Sequence, residues 1–169
     1  TVAIRYTAEG SELHNDMMVH HTATVPERFY MTDGEDMYKG VGMSACLYLQ
    51  IGSGELLLRS SDPQVQPHLN YNYFKEEEDL RRMRECVRLC AEVGDGTSYE
   101  EIVTRRIQPT EQELKDNDLL DLWILKNATT SHHISGTCKM GLESDPMAVV
   151  DQYGNVHGFE NLRLADASI

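Results

Sequence analysis

The sequence predicts an α+β domain in which a mainly antiparallel sheet carries helices packed on one face. Two observations point there. Residues 43–51 and 55–60 are rich in strand-forming side chains and are separated by Gly52-Ser53-Gly54, a short glycine loop suited to an antiparallel hairpin. Further on, residues 75–93 and 110–128 carry apolar side chains at three- and four-residue steps, the spacing of helices with one buried stripe. With 169 residues, 40% of them hydrophobic, the chain can support a core, and residues 1–169 are read as one domain.

Taken in order, Thr1 to Tyr6 and Asn15 to Val25 are expected as strands, with Ala8-Glu9-Gly10-Ser11 as the turn between them. His20 and His21 fall in the second strand and, as neighbours, point to opposite faces, which makes them poor joint ligands. One is expected to be buried and hydrogen-bonded, the other exposed. Thr32-Asp33-Gly34-Glu35-Asp36 reads as a polar, solvated connection, and Asp62-Pro63 and Pro67 block helix formation. In the first helix, Glu76, Glu77, Glu78 and Asp79 favour the positive N-terminal end, while Leu80, Met83, Val87 and Cys90 form the apolar stripe and Gly94 can end it. Arg81, Arg82, Arg84 and Arg88 lie largely off that stripe and, with Glu77–Arg81 and Glu78–Arg82 spaced i, i+4, read as a solvated face. Thr110 and Glu113 match a capping box at the start of the second helix, just after Pro109. Ala148-Val149-Val150 and Asn155-Val156-His157 flank Asp151-Gln152-Tyr153-Gly154 as another hairpin.

Charge and cysteine usage exclude several function classes. Fifteen basic against twenty-eight acidic residues give a formal charge of −13, with no separate basic cluster, which argues against nucleic acid and anionic membrane surfaces as partners. No apolar run approaches the roughly 18 residues needed to span a bilayer, so no membrane anchor is expected. The four cysteines, Cys46, Cys86, Cys90 and Cys138, form neither C-x-x-C pairs nor a disulfide framework, which points to a reduced, cytoplasmic compartment. Cys86 and Cys90, one helical turn apart, read as small apolar side chains on a buried face.

The densest chemistry lies in Ser131-His132-His133-Ile134-Ser135-Gly136-Thr137-Cys138-Lys139-Met140-Gly141, which gathers two imidazoles, hydroxyls, a thiol and two glycines. Glycine lets backbone approach a flat ligand, and histidine suits proton transfer near neutral pH. The run resembles the His-x-x-Gly-Thr-x-x-Met-Gly signature of the glucose-methanol-choline (GMC) flavoprotein oxidoreductases, with His133 in the register of the family histidine and Ile134 in place of the usual proline. Two further segments are similar to the family: Ser53 to Pro63, with its Arg-Ser-Ser-Asp-Pro run, and Asn161 to Ile169, with Leu-Arg-Leu-Ala-Asp-Ala-Ser.

The resemblance implies the GMC type of α+β C-terminal domain and makes His133 the catalytic base for hydride transfer from a CH–OH group to FAD. It sets Asp166, Ala167 and Ser168 beside the cofactor. No G-x-G-x-x-G occurs in the chain, so the main FAD contacts are expected from a separate FAD domain of the same polypeptide. In the family that fingerprint lies near the N-terminus of a longer chain, and a second catalytic His or Asn lies beyond the Ala-Asp-Ala-Ser segment. The sequence is therefore expected to be the substrate-binding, C-terminal part of a flavin-dependent alcohol oxidase or dehydrogenase, cut at both ends and inactive alone, with a small alcohol as substrate. Two other readings stay open at this point. One is a non-catalytic binding or interaction module, since the histidines could serve only as hydrogen-bonding groups in a loop. The other is a metal-binding domain built on His132, His133, Cys138 and His157, whose spacing matches no common zinc pattern.

Overall fold

The computed structural model describes residues 2–22, 32–33, 36–37, 40–133 and 135–169. Thr1, Ala23 to Val25 of the expected second strand, Gly34 and Glu35 of the polar connection, and Ile134 of the histidine run lie outside the described residues. Antiparallel sheets and helices make up the chain, which is the α+β class expected from the sequence. It divides into two compact units, residues 1–53 with 72–128 and residues 54–71 with 129–169.

The first unit holds a three-stranded antiparallel sheet of β1 (Val2–Tyr6), β2 (Met17–Thr22) and β5 (Gly42–Leu47), with β2 in the middle. Two further short strands, β3 (Thr32–Asp33) and β4 (Asp36–Met37), pair where only a polar connection was expected. The β1–β2 hairpin turns as read, with the Ser11 amide donating to the Ala8 carbonyl at 3.0 Å. Strand alternation sends Met17 and Val19 of β2 to the buried side, where Ala8 and Cys86 meet them. His20 and His21 are both half-buried, not one in and one out.

Helix α1 (Glu77–Gly94) lies on this sheet, with an acidic first turn and Gly94 as its last residue. Cys86 faces the sheet, while Leu80 and Val87 pack with Leu120 and Ile124. A fully buried side chain of the size of Met17 or Leu120 contributes about 1.5–3 kcal/mol by leaving water. The second helical stretch is two helices, α2 (Glu111–Lys115) and α3 (Asn117–Asn127), not one continuous element. The Thr110–Glu113 capping box starts α2 in both directions. Asp116 breaks the run: its backbone is extended, and its carboxylate accepts from the Asp118 and Leu119 amides to cap α3.

Two expectations are corrected here. Residues 43–51 and 55–60 do not form a hairpin: β5 pairs with β2, and the later segment forms β6 (Glu55–Leu57), which pairs with β7 (His68–Asn70) in the second unit. The amides that a hairpin would need are already engaged. Tyr48 and Leu49 donate to the Asp16 carbonyl, and Ile51 and Gly52 donate to the Asp79 carboxylate. Gly54 is required for another reason, because a Cβ there would overlap the Asn70 carbonyl oxygen.

The arginine face is likewise not all solvated. Arg82 is wholly buried, with Nη1 donating to Asp16 Oδ2 at 2.6 Å and to the Leu49 carbonyl at 2.9 Å, and Nη2 donating to Asp79 Oδ1 at 2.6 Å. The expected Glu77–Arg81 and Glu78–Arg82 pairs give way to Arg81 with Glu78 and Glu85, and Arg84 with Glu77 and Asp121.

Burial alone would raise the Asp16 pKa, but hydrogen bonds from Ser11, Arg82 and the Ala8 amide outweigh it and hold the carboxyl below its ordinary value. A folded pKa lower than the unfolded one stabilises the fold above the unfolded value, near 4, and that stabilisation is lost as pH falls through the folded value. Asp16→Ala leaves Arg82 buried with one carboxylate fewer, so urea denaturation at neutral pH is expected to show a loss of about 3–5 kcal/mol. Wild-type stability should also fall more steeply than that of Asp16→Asn on acidification below about pH 4. A neutral-pH loss under about 1 kcal/mol would remove the cluster from the stability argument.

Candidate active site

The second unit contains all three segments that carry the resemblance beyond Ser53, and beside the β6–β7 pair its architecture is a set of short bridges. Val150, with no exposed surface, sits where they meet. It bridges Met140 on one side and Val156 on the other, and Asn155 bridges Arg163. The Lys139 carbonyl accepts from the Val149 amide at 2.8 Å, the Val150 carbonyl accepts from Gly141 at 3.0 Å, and the Val156 amide donates to Leu162 at 3.0 Å. The expected hairpin around 151–154 is present in its turn and in the Val150–Val156 bridge, without regular strands.

The turn itself is shaped by Asp151, whose carboxylate accepts from the Tyr153 and Asn155 amides and from Asn155 Nδ2. The Asn155 side chain is the main reason the Asp151 carboxyl lies below its ordinary pKa. Gly154 follows with φ of 75° and is in close approach: a Cβ there would stand 2.5 Å from the Leu164 carbonyl oxygen.

The histidine run enters this framework at Cys138. His132 takes a left-handed backbone, φ 63°, and its amide donates to Thr130 Oγ1 at 3.0 Å. A left-handed non-glycine residue is uncommon, and here it falls directly before the histidine in the family register. Both imidazoles are exposed, as are Gly136 and Thr137. Gly136 also has a positive φ, 86°, but a Cβ there would meet nothing within 4 Å, so its backbone is open on that side.

The Asp166–Ser168 turn meets the same run from the C-terminal side, with the Cys138 amide donating to the Ser168 carbonyl at 2.7 Å. Asp166 Oδ1 accepts from the Ser168 amide at 2.8 Å and from the Ser168 hydroxyl. Those two donors, the hydroxyl first, hold the Asp166 carboxyl below its ordinary pKa. Thus His133, Asp166, Ala167 and Ser168 belong to one unit, and the Cys138–Ser168 backbone hydrogen bond connects their two segments.

Of the four residues weighed as metal ligands, His157 is half-buried and its Nε2–H donates to the Gly141 carbonyl at 3.1 Å. Among the described residues, no group of three His, Cys, Asp or Glu side chains is arranged to hold a metal ion. No helix among them is long and apolar enough to cross a membrane. Sequence reasoning did not single out Arg59 with His68, where Nη2–H donates to Nδ1 at 3.0 Å just beyond the end of β6. The Arg-Ser-Ser-Asp-Pro run marks the arginine, but nothing in the sequence marks its partner.

Residues 51–169, well over half of the chain, match the C-terminal family model of the GMC oxidoreductases. The class is that of an oxidoreductase's C-terminal domain, and the chain belongs to the GMC oxidoreductase family. An oxygen-dependent choline dehydrogenase from Rhizobium rhizogenes is 37% identical over 139 residues, covering 81% of this chain and 25% of that protein. Its counterpart from Rhizobium etli is 40% identical over 116 residues, covering 69% and 21%. The chain therefore spans about a quarter or less of the curated relatives it matches. A formate oxidase from Aspergillus oryzae, solved in a study of its FAD modification, superposes with a TM-score of 0.75 at 25% identity, over 92% of this chain and 27% of that one. A pyridoxine 4-oxidase from Mesorbium loti reaches a TM-score of 0.82 over 99% of this chain and 32% of that one; at 19% identity this shows a shared fold.

The two positive-φ glycines separate conformational strain from steric overlap. Gly136→Ala meets only the left-handed penalty and is expected to cost about 1–2 kcal/mol, whereas Gly154→Ala adds overlap with Leu164 and should cost about 2–4 kcal/mol. Thermal denaturation of the two variants checks this, and equal shifts would remove the close-approach argument.

Proposed function

We propose that this chain is the substrate-binding and catalytic-base part of a flavin-dependent alcohol oxidoreductase. In this reading His133 removes the hydroxyl proton of a small alcohol, and Asp166, Ala167 and Ser168 lie beside the cofactor. The observation that carries the reading is the Cys138–Ser168 hydrogen bond, which ties the histidine run to the Asp-Ala-Ser turn within one unit. Family membership and the register of His133 three residues before Gly136 support it.

The chain's fit to a flavin can be tested on its own residues. The exposed run from Ser131 to His133 and from Ser135 to Thr137, with the open backbone at Gly136, leaves room for a flat ring. The small Ala167 side chain, also exposed, adds little obstruction. No glycine-rich pyrophosphate loop is present, so the adenine and diphosphate end would be held by the FAD domain of the same polypeptide. Apolar side chains left exposed in this unit, among them Leu57, Met140, Leu142, Met147 and Phe159, suit a surface that such a domain covers.

When bound, the flavin supplies the acceptor for the hydride. The protein's part is proton removal: an alkoxide releases hydride far more readily than an alcohol, and an imidazole nitrogen of His133 takes the hydroxyl proton. Two left-handed backbone positions, His132 and Gly136, bracket that residue and set how the loop presents it. His132 supports the loop without sharing the chemistry, because neighbouring side chains diverge. The names of the curated relatives make choline the first alcohol to test, with uncharged primary alcohols beside it.

In the full-length protein, His133→Ala is expected to slow flavin reduction by about 10²–10⁴-fold at equal flavin occupancy, while His132→Ala has a much smaller effect. Stopped-flow reduction by substrate measures both. A normal rate in His133→Ala would overturn the base assignment, and a collapse confined to His132→Ala would move it by one residue.

A further inference from the structure

We infer that Asp166 is a positioning residue for the histidine run, acting through Ser168 and Cys138 as a structural brace. The inference rests on the reading of His133 as the base. It departs from the simplest expectation for an acidic residue near a cofactor, which is direct contact through its charge.

The geometry is a chain of three contacts. Asp166 Oδ1 accepts both the amide and the hydroxyl of Ser168, closing a two-residue turn. That turn carries the Ser168 carbonyl, which accepts the Cys138 amide at 2.7 Å. Cys138 stands five residues after His133, and beyond it Lys139 and Gly141 are already fixed by their bonds to Val149 and Val150. The run is therefore anchored on its C-terminal side by the framework around Val150, and the Ser168 carbonyl adds an anchor at Cys138. One Asp166 oxygen serves both donors, so the brace requires an acceptor at that place, and the carboxylate charge strengthens the two bonds without making the contact to Cys138.

This separates two roles by substitution. Asp166→Asn keeps an oxygen acceptor in nearly the same position and removes the charge, while Asp166→Ala removes both. A loop displaced by about 1 Å can cost about 10²-fold in rate. In the full-length flavoprotein, Asp166→Ala is expected to retain flavin, to slow flavin reduction by about 10–10²-fold with KM within about twofold, and to speed hydrogen exchange at the Cys138 amide by at least about tenfold. Asp166→Asn, which keeps the acceptor, is expected to hold the Cys138 exchange rate within about threefold of wild type and to lose less of the reduction rate than Asp166→Ala.

Equal losses in Asp166→Asn and Asp166→Ala would assign the role to charge and overturn the proposal. An unchanged Cys138 exchange rate in Asp166→Ala would do the same, as would faster exchange with a normal reduction rate. If Asp166→Ala loses its flavin, Ser168→Ala replaces it: removing one of the two donors should speed Cys138 exchange and slow reduction by about threefold each, and no change in either would count against the brace. His133→Ala run in parallel keeps the two ideas apart. A normal rate there removes the base assignment, whereas the exchange measurement reads the brace without turnover.

Discussion

The first unit depends on one buried cation. Arg82 has no exposed surface, and its guanidinium joins Asp16 at the entry to β2, Asp79 in the first turn of α1, and the Leu49 carbonyl beyond β5. Burying three charges costs several kcal/mol per ion, and attraction offsets that cost only when the remaining lone pairs are also satisfied. Here they largely are: Ala8 and Ser11 donate to Asp16, and Ile51 and Gly52 donate to Asp79. The cost that remains is at Arg82 Nε, which is buried with no hydrogen-bond partner among the described residues. Four chain segments therefore have one mutually consistent arrangement around the guanidinium, and Ser53, the last residue of this unit before β6, follows directly from one of them.

The second unit solves the same problem with almost no core. Val150 is its one buried hydrophobic side chain among the described residues, and the chain is bent by aspartates instead. Asp62, Asp145, Asp151 and Asp166 each accept an amide two residues further on, from Gln64, Met147, Tyr153 and Ser168. A carboxylate that takes the place of a backbone acceptor makes a tight turn without a regular element. Part of the acidic excess is thus structural, and the carboxyls of Asp145, Asp151 and Asp166 lie below their ordinary pKa first because of side-chain donors, Lys139, Asn155 and the Ser168 hydroxyl in turn, with backbone amides adding to them.

How much of this could be read from sequence follows from the range of each interaction. The β1–β2 turn, the acidic start of α1 and the Thr110–Glu113 box are local, and each was legible because the residues that make it lie within a few positions of one another. Family membership was legible in the same way, since the histidine run and the Asp-Ala-Ser segment are continuous motifs. Arg82 was misread because a helical period separates polar from apolar faces but does not say which polar residue meets a distant carboxylate: Asp16 is 66 positions away. The false hairpin has the same origin. Gly52 and Gly54 looked like turn residues, yet the Gly52 amide is bound by Asp79 and Gly54 makes room for Asn70, both contacts made by residues well outside the local window. Asp116 is the local exception: it sits inside a helical pattern, and its N-cap chemistry was visible but was outweighed by apolar spacing on both sides.

The contrast between the two units bears on how a base is held. A catalytic side chain needs its backbone fixed to within a fraction of an ångström, and in most folds a packed core supplies that rigidity. On the function proposed above, a histidine run that faces a flat ring cannot be surrounded by core side chains without closing off the space the ring needs. Its order has to come from hydrogen bonds along its edges. Such bonds contribute only about 0.5–1.5 kcal/mol each, so several must act together on the same few residues. Lys139, Gly141, Val149 and Val150 provide them on one side, and Thr130 provides one to His132 on the other. The Ser168 carbonyl adds a contact at Cys138, and Ser168 is itself held by a carboxylate two residues away. The backbone of the histidine run is in this way tied to the Asp-Ala-Ser turn, so two motifs distant in sequence share one local framework.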